Sequence, residues 1–177
     1  MGEKGLIHFY YGSGKGKTTA ALGLALRAAG CGQNVVVVQL LKDWKCGELN
    51  AFSHLPNVTV LRGKSSGGVF VRDMSDDEKA ETTAIHNENL KKAMELQKIG
   101  QCELLVLDEA ADALRLGVLD ADLFKELLEN KPDRLELVIT GHSSDEWLVS
   151  KADYVTEMVK HKHPYDNGVP ARKGIEF

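Results

Sequence analysis

Short apolar runs rich in Val, Ile and Leu recur along the chain, separated by segments in which apolar residues return at helical spacing. Runs that stay apolar at consecutive positions are typical of parallel strands buried on both faces of a sheet. The pattern therefore predicts six strands, over residues 6–11, 34–41, 58–62, 104–107, 135–140 and 154–158.

Three helices are predicted between these strands. Residues 17–29 are rich in Ala and Leu and stop before glycines that suit a left-handed helix end. Ser75 and the glutamate three positions later form a capping-box signature, which opens a helix over residues 75–98. A third helix covers residues 121–129. The alternation of strand and helix predicts an α/β fold, with an open, mostly parallel sheet and helices on both of its faces.

Three segments do not have the pattern of regular structure. Residues 42–53 and 63–75 are polar or Gly-rich, and each follows a predicted strand. Ligands of open α/β sheets bind outside the carboxyl ends of the strands, so these two segments are the expected place for a second substrate. Residues 160–177, with two prolines and two glycines, are also predicted to be irregular.

The composition is that of an ordinary globular protein, because 43% of the residues are hydrophobic and 27% are charged. A single domain over residues 1–177 is expected. The net charge of -4 argues against nucleic acid as a partner, since that affinity comes mainly from Lys and Arg.

Neither a membrane span nor a disulfide framework is predicted. The apolar run near the amino terminus is too short for a signal segment or a span, so a cytoplasmic location is expected. Cys31, Cys46 and Cys102 are odd in number and include no CxxC pair, which favours neither disulfides nor a zinc site.

The segment GSGKGKTT, residues 12–19, follows the first predicted strand and opens the first predicted helix. This is the context of a phosphate-binding loop, although the strict pattern asks for glycine where the chain has Tyr11. Lys17 is expected to contact the terminal phosphates and Thr18 to ligate Mg²⁺. The glycines let main-chain N–H groups approach the phosphates, and the helix start adds its positive dipole end. The candidate ATP contacts of the loop are Gly12, Ser13, Gly14, Lys15, Gly16, Lys17, Thr18 and Thr19.

Two acidic residues follow the apolar run over residues 104–107. Asp108 is expected to hold Mg²⁺ directly or through water, as the acid of a Walker B element does. Glu109 is a candidate catalytic residue that orients a water, contacts the second substrate or faces solvent. Gln39 and Lys42, at the end of the second predicted strand, are candidates for substrate contact.

Several motifs together resemble one family. They are GSGKGKTTAALGLALRAAGCG, VVVVQLLK, Gly47-Glu48, VLDEA, VITGHS, ADYVTEM and the ending KHPYDNGVPARKGIEF. In this order, over nearly the whole chain, they resemble the P-loop ATP:corrinoid adenosyltransferases. The loop of that family begins with a similar G-x-G-K-G-K-[ST]-T pattern, so Tyr11 fits the resemblance.

The resemblance implies a P-loop fold and a reaction in which the 5′-deoxyadenosyl group of ATP passes to a reduced Co(I) corrinoid, releasing triphosphate. Cobalt is then the nucleophile, so the protein needs to position the C5′ carbon and stabilise the leaving group. The resemblance implies that the leaving group is stabilised by Lys15, Lys17, Thr18, Thr19, the loop amides and Mg²⁺.

The chain departs from the family in two places. The family usually carries Gly-Phe-x-Trp over the corrin face, where this chain has Gly68-Val69-Phe70-Val71. A TGRG-like segment has become Thr140-Gly141-His142-Ser143. Phe70 and the segment 160–177 are expected to contact or cover the corrinoid. Arg172 is a candidate ligand-binding residue whose partner is a corrin amide, a phosphate or neither.

The expected partners are ATP, a corrinoid and a reductase that supplies Co(I), with the chain acting as a homodimer. Two alternatives stay open at this point. An ATPase or kinase would use the same loop for γ-phosphoryl transfer. A corrinoid-binding relative with an altered second-substrate site would bind ATP without turnover.

Overall fold

A computed structural model describes residues 4–42, 46–63 and 71–176. Six strands form one sheet in which every pairing is parallel. The strands are β1 (Ile7–Tyr11), β2 (Val35–Gln39), β3 (Val58–Arg62), β4 (Leu104–Asp108), β5 (Glu136–Thr140) and β6 (Tyr154–Glu157). Their order across the sheet is β3-β2-β4-β5-β1-β6, which confirms the α/β fold with a parallel sheet.

Six α-helices connect or flank the strands in the described part of the chain. They are α1 (Lys17–Gly30), α2 (Gly47–Phe52), α3 (Asp76–Lys98), α4 (Ala110–Arg115), α5 (Ala121–Glu129) and α6 (Glu146–Lys151). The three predicted helices are confirmed to within a residue or two. The Ser75 capping box is also confirmed, since the Ser75 hydroxyl accepts from the Glu78 N–H and the Glu78 carboxylate accepts from the Ser75 N–H.

The expectation of irregular structure was wrong for part of residues 42–53, because α2 lies within that segment. A helix of six residues spans fewer than two turns, so its apolar residues are too few to show a helical period. Within residues 160–176 the structure has one short 3₁₀ turn, Pro164–Asn167.

The sheet separates two apolar layers. Val35, Val37 and Val106 pack on one face against Ala21 and Ala25 of α1. On the other face, strand side chains contact α3, α4, α5 and α6 through Leu90, Ala113, Phe124 and Leu148. Every residue of β2 and β4 is buried, which explains why their sequences are apolar at consecutive positions.

The register places the carboxyl ends of the strands along one edge. Gln39 lies beside Asp108, and Tyr10 lies beside Thr140. Consequently the end of β1, which leads into the glycine-rich loop, comes to the same edge as the acids that end β4. No helix in the described segments is both long enough and apolar enough to cross a membrane.

Gly12 packs directly against the residue that follows β6. Its φ is 115°, and a Cβ added there would lie 2.4 Å from the carbonyl oxygen of Met158. The next contact along the loop is a hydrogen bond of 2.6 Å from the Gly14 N–H to the same oxygen. The edge strand β6 therefore fixes the path of the loop, and only glycine fits at position 12.

We expect Gly12→Ala to lower the free energy of unfolding by about 2 kcal/mol or more, since it combines a strained φ with a backbone clash. Gly23→Ala is the matched control, because Gly23 lies inside α1 and a Cβ there meets nothing within 4 Å. That substitution should raise stability by about 0.5 to 1 kcal/mol. Urea unfolding measures both variants, and equal effects would contradict the packing described for Gly12.

Candidate active site

The loop between β1 and α1 is closed by its own lysine. Lys17 Nζ donates to the carbonyl oxygens of Gly12, at 2.6 Å, and Gly14, at 2.9 Å. Burial lowers the pKa of Lys17, although Asp112, Glu109 and Asp108 act in the opposite direction. The ammonium is thus held over the concave side of the loop.

The start of α1 presents free main-chain donors to this concavity. Its N-cap is Gly16, which has a φ of 119° and no side chain to accept from the first turn. The N–H groups at the start of the helix therefore remain available to an anion, and the helix dipole favours negative charge at that end. Such a strand, loop and helix together form a site suited to phosphate.

A buried carboxylate at the end of β4 connects the start of α1 with β5 and with the segment that follows β2. The Asp108 side chain is fully buried. Its Oδ1 accepts from the hydroxyls of Thr18 and Thr140, both at 2.9 Å, and its Oδ2 accepts from Lys42 Nζ at 2.6 Å. Residues from α1, β4, β5 and the segment after β2 are thereby brought to one point.

Lys42 supplies the positive charge that this carboxylate needs. Its Nζ also donates to Thr18 Oγ1 at 2.9 Å and lies 3.8 Å from Glu109 Oε1. Burial alone would lower the pKa of Lys42, but the attraction and hydrogen bond of Asp108 raise it above its ordinary value. Lys42 is therefore a charged residue of the cluster.

Glu109 has an unusual backbone conformation. Its φ is 63°, the one positive φ among the non-glycine residues that the structure describes. Its N–H donates to Thr140 Oγ1 at 2.8 Å, and this bond holds the turn from β4 into α4. Burial and the neighbouring Asp108 raise the pKa of the Glu109 carboxyl. A strained residue with a shifted pKa at a strand end is a feature of functional sites.

Oxygen atoms of Thr18 and Asp108 are arranged around a cation. The ammonium of Lys42 bridges Thr18 Oγ1 and Asp108 Oδ2, so these two oxygen atoms already bind a positively charged group. Mg²⁺ prefers such oxygen donors and is commonly held by one carboxylate, waters and phosphate oxygens. The donor set thus fits Mg²⁺ if Lys42 moves aside. Within residues 4–42, 46–63 and 71–176, no three His, Cys, Asp or Glu side chains form a metal site by themselves.

A cavity of about 710 Å³ opens above the loop. One end is polar and contains the loop together with Lys42, Glu109 and His142. The other end is mainly apolar and lies between α1 and α2. Its walls there are formed by Leu22, Gly23, Leu26, Cys46, Ala51 and Phe52. The cavity is therefore large enough for a nucleotide with part of a second substrate.

The C-terminal segment forms a further wall of this cavity. His163, Gly174, Ile175 and Glu176 line it. Glu176 Oε1 lies 3.4 Å from the Nζ of Lys15, so the segment contacts the phosphate loop directly.

Arg172 pairs with Glu176 instead of lining this cavity. The hydrogen bonds from its guanidinium and main chain hold the pKa of the Glu176 carboxyl at about 2. Arg172 instead lines a smaller neighbouring cavity of about 270 Å³.

The structure gathers most of the residues singled out in the sequence. Ser13 to Thr19, Lys42 and Glu109 line the large cavity, and Asp108 lies behind Lys42. Gln39 is buried below the cavity wall, where its Nε2 lies 3.5 Å from Glu48 Oε1. Phe70 lies outside the described residues.

Sequence reasoning missed residues that come from distant parts of the chain. Thr140 and Asp112 are buried at the site, yet neither belongs to the loop or to the acidic pair. Asp108 ends β4 whereas Asp112 lies in α4, so no single periodic pattern in the sequence relates the two residues. The cavity wall contributed by α2 lies within residues 42–53, where a second substrate was expected, but the helix itself was not predicted.

Comparison with known proteins identifies relatives over nearly the full chain. A family model described as ATP:corrinoid adenosyltransferase BtuR/CobO/CobP matches residues 3–177. A corrinoid adenosyltransferase of Sinorhizobium sp is 35% identical, over 99% of this chain and 81% of that protein. The corrinoid adenosyltransferase of Escherichia coli strain K12 is 32% identical, over 99% of this chain and 87% of that protein.

A solved structure shares the fold at low sequence identity. The cytoplasmic domain of EssC superposes with a TM-score of 0.52 at 18% identity, over 97% of this chain and 37% of that chain. At this identity the likeness concerns the fold alone.

We expect Lys42→Met to lower the free energy of unfolding by about 3 kcal/mol, because it leaves the Asp108 carboxylate buried without its cation. Lys160→Met is the control. Lys160 pairs with Asp166 at 3.1 Å on the surface, so its loss should cost less than about 1 kcal/mol.

Adding Asp108→Asn to Lys42→Met should recover part of the lost stability, since the buried charge is then removed. Urea unfolding of the wild type, the two single variants and the double variant measures this coupling. Additive losses would show that the two side chains do not interact.

Proposed function

This chain belongs to the family of ATP:corrinoid adenosyltransferases and transfers the adenosyl group of ATP to a corrinoid, and we propose that the loop of residues 12–19 holds the triphosphate during that transfer. The observation that carries the proposal is the open N-terminus of α1 beside Lys17, with the large cavity above both. Main-chain donors, a lysine and a helix dipole converge there on one anion site.

The transfer requires little covalent chemistry from the protein. The cobalt of the substrate, as Co(I), supplies the electron pair for the new bond to C5′, and the bond from C5′ to oxygen breaks. That oxygen leaves with the triphosphate and takes the bonding pair. The loop amides, Lys15, Lys17, Thr18 and Thr19 are proposed to stabilise the negative charge of this leaving group.

Thr18 and Asp108 are proposed to hold Mg²⁺, which would neutralise charge on the phosphates. Lys42 must then leave Asp108, and Glu109 provides a second carboxylate 3.8 Å from its Nζ. We propose that Lys42 turns towards Glu109 and the phosphates when Mg²⁺ is bound. Glu109 would in this way position a cation beside the phosphates of ATP.

The corrinoid is proposed to lie at the apolar end of the cavity, between α1, α2 and the C-terminal segment. Ile175 and His163, which line that cavity, support a role for residues 160–177 in covering the corrinoid. The proposed contact of Phe70 with the corrinoid rests on the sequence alone. The proposed role of Arg172 in ligand binding rests on the sequence and on its position beside Lys15 in the smaller cavity. Gln39 is proposed to act indirectly, through Glu48 on the cavity wall.

A reductase is proposed as a partner, because Co(I) has to be supplied to the reaction. A homodimer is also proposed. Support for it comes from the edge strand β6, where Tyr154 and Val155 are exposed. Among the described residues, Cys31, Cys46 and Cys102 are not in disulfides, which is in keeping with the reducing cytoplasm that we propose as the location of the reaction.

The assay for the transfer combines the protein with ATP, Mg²⁺ and a chemically reduced corrinoid. We expect the spectrum of a cobalt–carbon bond to appear together with tripolyphosphate, one for one. Release of ADP without that spectrum would contradict the proposal and favour phosphoryl transfer instead.

We expect Lys17→Ala to weaken ATP binding by about 10- to 100-fold, since charge-assisted contacts to the phosphates are lost. Lys125→Ala serves as the control, because Lys125 is exposed on α5. Titration calorimetry measures the affinity, and circular dichroism checks that both variants stay folded. An unchanged affinity in Lys17→Ala would place the triphosphate elsewhere.

A further inference from the structure

A histidine and a buried aspartate stand together at the polar end of the large cavity. The main-chain N–H of His142 donates to Asp112 Oδ2 at 2.7 Å, and its ring Nδ1 lies 3.1 Å from the same oxygen. The side chain of Asp112 is 6% exposed, whereas that of His142 is 64% exposed. The aspartate thus fixes the ring, and the ring faces the cavity that it lines with Lys17.

Gly141 allows this close approach of β5 to α4. A Cβ at that position would lie 2.5 Å from the Cβ of Ala111. The carbonyl oxygen of His142 in turn accepts from the N–H of Gly12 at 3.1 Å, so His142 is attached to the first residue of the phosphate loop. The imidazole is therefore carried on a backbone that the loop and α4 both hold.

The contact with Asp112 decides what the other ring nitrogen can do. A carboxylate accepts, so Nδ1 carries a proton, and Nε2 is left to face away from the aspartate. In the neutral ring Nε2 is an acceptor and repels phosphate oxygens. In the imidazolium Nε2 is a donor with a positive charge, which phosphate oxygens bind well.

Charged groups from three elements act on this ring. Asp112 accepts from it, and Arg115 on the same helix lies 3.4 Å from the other Asp112 oxygen. The hydrogen bond to Asp112 raises the pKa of His142 above its ordinary value of 6.5. Burial and Lys17 of α1 act against that rise, whereas Glu109 after β4 supports it.

We propose that His142, oriented by Asp112, binds the triphosphate of ATP as an imidazolium and makes the strength of that binding depend on pH. The proposal rests on the function proposed above, because it needs the triphosphate in the loop of residues 12–19. His142 is then a substrate-binding residue and Asp112 its positioning residue. As negative charge builds on the departing triphosphate, the same imidazolium stabilises it.

The direction of the pH effect follows from the protonation state of the His142 ring. A raised pKa means that the imidazolium and its contact persist at low pH and are lost as the pH rises through that pKa. The contribution of His142 to the affinity for a triphosphate should therefore fall with rising pH. A phosphate bound to the ring raises the pKa of His142 further.

The test compares wild type, His142→Gln and His142→Arg with inorganic tripolyphosphate and with ATP, by calorimetry from about pH 6 to about pH 9. Phosphates titrate in this range too, so the informative quantity is the ratio of affinities between two proteins at one pH. We expect wild type to bind about fivefold more tightly than His142→Gln at the low end. That ratio should approach one at the high end, whereas the ratio of His142→Arg to His142→Gln should stay constant.

Asp112→Asn provides a second readout that does not use activity. The imidazole of His142, followed by NMR, should titrate at lower pH in that variant than in wild type, and thermal unfolding checks that the variant is folded. A ratio of wild type to His142→Gln that is flat across the pH range would overturn the inference, as would an unchanged imidazole pKa in Asp112→Asn. Failure of wild type to bind tripolyphosphate at any pH would instead refute the phosphate site itself.

Discussion

The buried carboxylate of Asp108 is the constraint on which the site depends. A charge without access to water must be paired and hydrogen-bonded, or the fold loses several kcal/mol. Thr18, Thr140 and Lys42 meet that need, and each comes from a different part of the chain. The carboxyl ends of β2, β4 and β5 are thereby connected to the start of α1. This network keeps Lys42 next to Thr18, at the end of the loop of residues 12–19.

The same arrangement suits a reaction in which the substrate supplies the nucleophile. Around the cavity there are donors and cations for an anion, from Lys15 and Lys17 to Lys42 and the open end of α1. We propose that this set stabilises a leaving triphosphate, which is what transfer of an adenosyl group to a corrinoid requires. The apolar walls between α1 and α2 offer a place for the second substrate beside it.

Sequence reasoning did well where one local pattern decides the structure. The parallel strands have continuous apolar runs, and the capping box at Ser75 needs only residues within one turn. Sequence reasoning was less successful where the interacting residues are far apart along the chain. No local pattern predicted that Lys42 contacts Asp108 and Thr18 within the protein. The short helix α2 carries too few residues to show a period, although it forms one wall of the cavity.

The sequence by itself determined the fold class, the phosphate loop and the family resemblance, because each is encoded in residues that are neighbours along the chain. Tertiary structure alone decided that Lys42 is the counterion of Asp108, that Asp112 orients His142, and that the C-terminal segment reaches Lys15. These pairs are separated by 30 to 161 positions in the chain. Their contacts exist because a parallel sheet brings distant strand ends to one edge, which no local pattern records.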